Sequence, residues 1–287
     1  MTDKGLRAAL VQLRSSRSVE QNVDEATRLV HEAASGGASY VLTPENTNVM
    51  ELNKKLLFDV VSHEEDCQVL AHFRELAEEL SIYLHLGAIT VKLSDDKLAN
   101  RSLLITPTGQ ISGRYDKIHM FDVNLPGGET YCESRTYSPG DQAILTGLPW
   151  GRLGLTICYD LRFPQLYRTL ARAGADIFAV PSAFTEQTGQ AHWRTLLRAR
   201  AIETGCFVFA AAQGGHHECG RRTYGHSLIV APWGEILVEA EQEPTVVLAD
   251  IDTFKVTEAR RQIPSLNHGS SYAVGPNGDQ PALKEAS

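Results

Sequence analysis

GLTICYDLRFP, residues 154–164, holds the turn on which the reading of this chain depends. An apolar run ends at Cys158, and Pro164 restricts the residue before it and fits the opening of a helix. Cys158 therefore falls at a strand-to-turn junction, where a nucleophile can be presented sharply beside a backbone N–H. A free cysteine is also, in many proteins, nothing more than a small buried hydrophobe. The segment alone supports both readings.

Outward from this turn, short apolar runs alternate with helical patterns, as in an α/β protein. Leu6 to Leu13 reads as a buried strand, followed by a helix with Val19, Val23, Ala26, Val30 and Ala33 on one face and a stop at Gly36-Gly37. Tyr40 to Thr43 is the next strand, with Pro44-Glu45 at its end. A second helix carries Val69, Phe73, Leu76 and Leu80, and strands follow near Ile82–Thr90 and Arg101–Thr106. Residues 126–141 read as one long loop, and long loops in compact domains tend to be functional. After Arg152–Ile157 and the helix from Pro164, strands are expected at 176–180, 207–212, 225–230, 236–240 and 245–251, with a helix at 191–204. No linker divides the chain, so one domain over 1–265 and a polar tail over 266–287 are expected.

Composition narrows the function classes. Of 287 residues 43% are hydrophobic and 22% charged, an ordinary globular balance. The net charge of −8 provides no footprint for nucleic acid or anionic lipid, so an anionic small molecule would have to be held by local Arg or Lys groups. The five cysteines are odd in number, irregularly spaced and without a CxxC, which fits a reducing compartment rather than a disulfide scaffold. The first residues hold too short an apolar run for a signal peptide, and no run approaches ~18 apolar residues, so a cytoplasmic protein without membrane partners is expected.

Two further residues stand at comparable positions. Glu45 lies in VLTPEN directly after an apolar strand, and Lys117 lies in GRYDKIHMFD. A carboxylate near a thiol can accept its proton, and an ammonium can favour the thiolate and then the oxyanion of a tetrahedral intermediate. Taken singly, Glu45 or Lys117 would be read as a solvated surface residue.

TPEN around Glu45, YDKIHMFD around Lys117 and GLTICYDLRFP around Cys158 together resemble, in order, the three signature blocks of the nitrilase (carbon–nitrogen hydrolase) superfamily. The resemblance extends to about residue 265. It implies a four-layer α-β-β-α sandwich with two mixed sheets, assembly into a homodimer or larger homo-oligomer, and hydrolysis of a small-molecule amide by Glu45, Lys117 and Cys158. No cofactor and no metal are expected. The family's second active-site glutamate matches Glu133 in YCESRTYSPG, with Glu129 in PGGET as the competitor. DKIHMFDVNLPGGETYCES and AHWRTLLRARAIETGCFVFAAAQ resemble the branch of deaminated-glutathione amidases, which implies an anionic substrate yielding 2-oxoglutarate and cysteinylglycine. Arg162, four residues after the cysteine, is then the candidate carboxylate clamp, with pairing to Asp160 as its structural alternative. The backbone N–H of Tyr159 is the candidate oxyanion donor. An ω-amidase or an N-carbamoyl amine hydrolase would use the same three residues, and a silent binding protein on the same fold is the reading from another class.

Two clusters are set aside. His216, His217, Cys219 and His226 lie within GGHHECGRRTYGH, but adjacent histidines diverge and no second short-spaced pair completes a zinc tetrahedron. That segment reads as a polar loop near the rim of the site. Arg194, Arg198, Arg200 and Glu203 on the helix at 191–204 read as ion-pair partners and solvated residues without catalytic roles.

Overall fold

A computed structural model describes residues 5–125 and 128–270. The first half contributes strands β1 (Leu6–Gln12), β2 (Tyr40–Leu42), β3 (Tyr83–Lys92), β4 (Leu98–Ile105) and β5 (Ile111–Asp116), with helices α1 (Val19–Ser35), α2 (Lys54–Val60) and α3 (Gln68–Leu80). A small hairpin of β6 (Asp122–Asn124) and β7 (Thr130–Cys132) follows. The second half runs through β8 (Leu145–Leu148), β9 (Gly151–Leu155), α4 (Pro164–Arg172), β10 (Ile177–Ala179), α5 (Glu186–Thr204) and β11 (Phe207–Ala210). It ends with β12 (Gly214–His216), β13 (Arg222–Tyr224), β14 (Leu228–Val230), β15 (Ile236–Glu239), β16 (Thr245–Ile251) and α6 (Phe254–Gln262).

Two mixed six-stranded sheets result, ordered β16-β1-β2-β3-β4-β5 and β15-β14-β11-β10-β9-β8. Their pattern is legible in β1. Leu6, Ala8 and Leu10 point into a core shared with the second sheet, while Ala9 and Val11 point the other way, against α1 and α3. Successive strand residues face opposite sides, so a strand apolar at nearly every position must be covered twice. Leu166 and Leu170 of α4 and Trp193 and Leu197 of α5 cover the far side of the second sheet. The layers are therefore α-β-β-α, as the resemblance implied.

Local signals set the helix ends. Ser18 caps α1 by accepting from the Gln21 amide at 3.3 Å, and Gly36 ends the helix. α5 begins at Glu186, five residues before the expected start, capped by Thr185. Where one long loop was expected over 126–141, the chain instead forms β7 and a 3₁₀ turn at Glu133–Arg135; the first two loop residues lie outside the described ones. Leu266 is buried against the core, and the expected tail lies outside the described residues from 271 on. Among the described residues no helix is long and apolar enough to cross a membrane. All five cysteines are unbonded.

Ligand sites in open α/β sheets form beyond the carboxyl ends of strands. Here the chain leaves β2 toward Glu45, β5 toward Lys117 and β9 toward Cys158. Gly87 on β3 makes that convergence possible. A Cβ there would collide with the Thr43 carbonyl oxygen and with Pro181, the residue whose carbonyl accepts from the Cys158 amide at 2.9 Å.

Candidate active site

Cys158 opens a 3₁₀ turn, Cys158–Arg162, and has a φ of +49°, a left-handed conformation that costs a non-glycine residue energy. The turn is held by Asp160, a fully buried carboxylate. One oxygen accepts from the Tyr115 hydroxyl at 2.7 Å and the Ile157 amide at 2.8 Å. The other accepts from the His119 amide at 3.1 Å and lies 2.7 Å from His119 Nδ1. Asp160 thus ties the segment bearing Lys117 to the segment bearing Cys158. Arg200 of α5 braces the same turn by donating twice to the Leu161 carbonyl, at 3.0 and 2.7 Å. It pairs with Glu203, and Arg194 pairs with Glu239, as expected of that helix.

Exchanging Asp160 for Asn would turn an NH2 toward donors that now share one carboxylate. An expected loss of about 1–3 kcal/mol in stability should accompany loss of the site's geometry. Urea unfolding and activity measured on Asp160→Asn test this, and a variant of full stability would contradict it.

Glu45, Lys117 and Glu133 meet in the interior. Lys117 Nζ is 2.9 Å from Glu45 Oε1 and 2.9 Å from both Glu133 oxygens, with its side chain only 2% exposed. Asn100 Nδ2 donates to Glu45 at 2.8 Å and to Glu133 at 3.3 Å. The Ala183 amide donates to Glu45 Oε2 at 2.8 Å, and the Phe121 amide donates to Glu133 at 2.7 Å. Of the two candidate loop glutamates, Glu133 reaches Lys117, whereas Glu129 is exposed and accepts from the Tyr131 hydroxyl at 3.1 Å.

Cys158 lines the same buried pocket as Glu45, whose charge acts on its thiol. Burial by itself would raise the Glu45 carboxyl, but the Lys117 and Arg221 charges outweigh it and hold Glu45 below the usual carboxylate range. Burial opposes the Lys117 ammonium too, and Glu133 and Glu45 hold it well above its ordinary value. Burial and the Glu45 charge push the Cys158 thiol far up, beyond what Lys117 offsets. The resting site is therefore a protonated thiol and an ionised carboxylate in one pocket, an arrangement that can lose its proton to Glu45 as sulfur attacks.

These residues line a cavity of about 240 Å³. Tyr159 and Phe121 meet edge to face on its wall, with centroids 5.1 Å apart. Arg162 also lines it, its guanidinium 5.3 Å from the Phe184 ring centroid and its Nη1 3.3 Å from His192 Nδ1. Asp160 is not its partner, being occupied by Tyr115, Ile157 and His119.

Asn100 and Arg221 are further cavity residues that the sequence did not disclose. Arg221 comes from the segment read as a polar loop, which instead forms the β12–β13 hairpin because its backbone pairs Gly214–His216 with Arg222–Tyr224. In the same segment His217 has both ring nitrogens engaged, with the Ser15 carbonyl at 2.9 Å and Thr223 Oγ1 at 2.6 Å.

Fold and site together define a cysteine hydrolase of the nitrilase kind, and the carbon–nitrogen hydrolase family matches the chain over residues 7–261. The chain belongs to that family and is an enzyme of amide hydrolysis. It is similar to the deaminated glutathione amidase of Synechocystis sp., 39% identical over 91% of this chain and 97% of that one. The Homo sapiens deaminated glutathione amidase is 38% identical over 91% of this chain and 81% of its own. The crystal structure of the Caenorhabditis elegans NitFhit protein superposes with a TM-score of 0.87 at 37% identity, covering 94% of this chain and 66% of that chain.

Proposed function

We propose that this enzyme hydrolyses an anionic linear amide, deaminated glutathione in the first place, to 2-oxoglutarate and cysteinylglycine through a thioester on Cys158. The observation that carries the reading is Cys158 in one buried pocket with a Glu45 carboxylate held by Lys117 Nζ at 2.9 Å and the Ala183 amide at 2.8 Å. The relatives' shared name supports the substrate. The cations Arg162 and Arg221 on the cavity wall suit a substrate with carboxylates, on a protein whose net charge is −8.

Sulfur attacks the amide carbonyl while Glu45 takes the thiol proton. The oxyanion is stabilised by Lys117 and the backbone N–H of Tyr159. Collapse breaks the C–N bond, and Glu45 returns the proton to the departing amine, which is too basic to leave without it. Water then attacks the thioester as Glu45, positioned through Lys117 and Glu133, removes its proton. The acid leaves and Cys158 recovers its thiol, so only water is consumed. Arg162 holds a carboxylate of the substrate. Residues 1–265 form the working unit.

The test is 2-oxoglutarate release from deaminated glutathione and from 2-oxoglutaramate, alongside cleavage of an N-carbamoyl amine, by wild type and Cys158→Ala. Preference for deaminated glutathione, lost in the variant, is expected. Preference for another amide, equally lost, would discard the substrate and keep the chemistry.

A further inference from the structure

We propose that Arg221 is a specificity-determining residue that binds the carboxylate on the departing-amine half of the substrate. The inference rests on the reading of Glu45 as the group that protonates that amine.

Arg221 is anchored without being satisfied. It stands at the start of β13, where its carbonyl accepts from the His217 amide at 2.9 Å. His217 is itself fixed to Ser15 and Thr223, so the hairpin is pinned to the end of β1. The guanidinium lies 5.4 Å from the Tyr131 ring centroid, and Nη2 donates to the Ala183 carbonyl at 2.6 Å. Its Nε is buried and has no hydrogen-bond partner among the described residues. The guanidinium lines the cavity and forms no salt bridge among the described residues, so it is suited to a substrate carboxylate.

Position assigns the half of the substrate. Ala183 links the two groups, since its amide donates to Glu45 Oε2 at 2.8 Å while its carbonyl accepts from Arg221. The departing nitrogen must come within reach of Glu45 to receive its proton. The chain attached to that nitrogen therefore leaves along the edge where Arg221 waits. Arg162 is held by other groups, Phe184, Tyr159 and His192.

Two substrates separate this role from a purely structural one: deaminated glutathione, and the same molecule with its C-terminal carboxylate converted to a carboxamide. Wild type should prefer the carboxylate by roughly 10–100-fold in kcat/KM, the range for a hydrogen bond to a charged group. In Arg221→Met that preference should vanish, the carboxylate substrate losing roughly 10–100-fold more than the carboxamide, since any loss through the missing charge beside Glu45 falls on both substrates alike. Arg221→Lys should keep part of the preference. Equal loss on both substrates would make Arg221 a brace for Ala183 and Glu45 and overturn the proposal, as would a preference unchanged in Arg221→Met. Cys158→Ala runs beside them: turnover surviving in that variant would sink the hydrolytic reading itself, a failure distinct from either outcome at Arg221.

Discussion

Replacing Lys117 with methionine should cost about 3–5 kcal/mol of stability at neutral pH, the usual consequence of removing one partner from a buried charge cluster. Glu45 and Glu133 both rest on the one ammonium, so Lys117→Met leaves two carboxylates close together and poorly hydrated. One of them would then hold its proton to higher pH than in the unfolded chain. The sign follows from linkage. In wild type Glu45 is depressed, so its stabilising contribution is complete above the ordinary carboxylate range and fades as pH falls through its lower folded value. In the variant the carboxylates are raised, so their penalty is largest at neutral pH and shrinks on acidification. Urea unfolding of both proteins at pH 7 and pH 5 should show the variant's deficit narrowing at the lower pH. A deficit that is negligible, or that widens on acidification, would refute the account of the cluster. Turnover should fall with it, by at least ~10²–10³, if Lys117 stabilises the oxyanion.

The second large effect separates chemistry from stability. Glu45→Gln keeps a side-chain oxygen for the Ala183 amide but turns an NH2 toward Lys117 and Asn100, so the variant should still fold while losing about 1–3 kcal/mol of stability. It lacks the base, and kcat should drop by about 10²–10⁴, the range for a positioned proton-transfer group. In wild type kcat/KM should lose its acid limb only below the ordinary carboxylate range, because Glu45 works ionised and its pKa is lowered. It should persist well past neutrality, because the thiol works protonated and its pKa is raised. Activity of Glu45→Gln within tenfold of wild type would exclude Glu45 as the base.

What the sequence disclosed of this arrangement follows the range of each signal. The alternation within β1 and the stop at Gly36 are local, and both were readable. α6 escaped notice because only Val256 and Ala259 of its nine residues are buried, too few to set a period. α5 was read too short because Gly189 interrupts its first turns, where Tyr224 packs so closely that a Cβ would collide. Glu45, Lys117 and Cys158 were legible as strand-end residues of suitable types, and the ordered blocks resembling the nitrilase superfamily joined them.

Asp160, Asn100 and Arg221 carry no such mark. Asp160 meets Tyr115 across 45 positions, Asn100 meets Glu45 across 55, and Arg221 meets Ala183 across 38. Nothing in the neighbouring residues specifies those partners, which exist only once the two sheets have packed. The cost of leaving such polar groups unpaired in the interior explains why each has found one. Asn100 Oδ1 and Arg221 Nε, both buried and without a hydrogen-bond partner among the described residues, depart from that rule.

Cys158 is expected to carry the acyl group of the cleaved amide. This is tested most directly by acid-quenching the enzyme during turnover of deaminated glutathione and mapping the adduct by mass spectrometry, with the rate of Cys158→Ala measured in parallel. A 2-oxoglutaryl thioester on the peptide containing Cys158, with no turnover in the variant, is the expected result. An adduct confined to another cysteine, or turnover that survives Cys158→Ala, would contradict it.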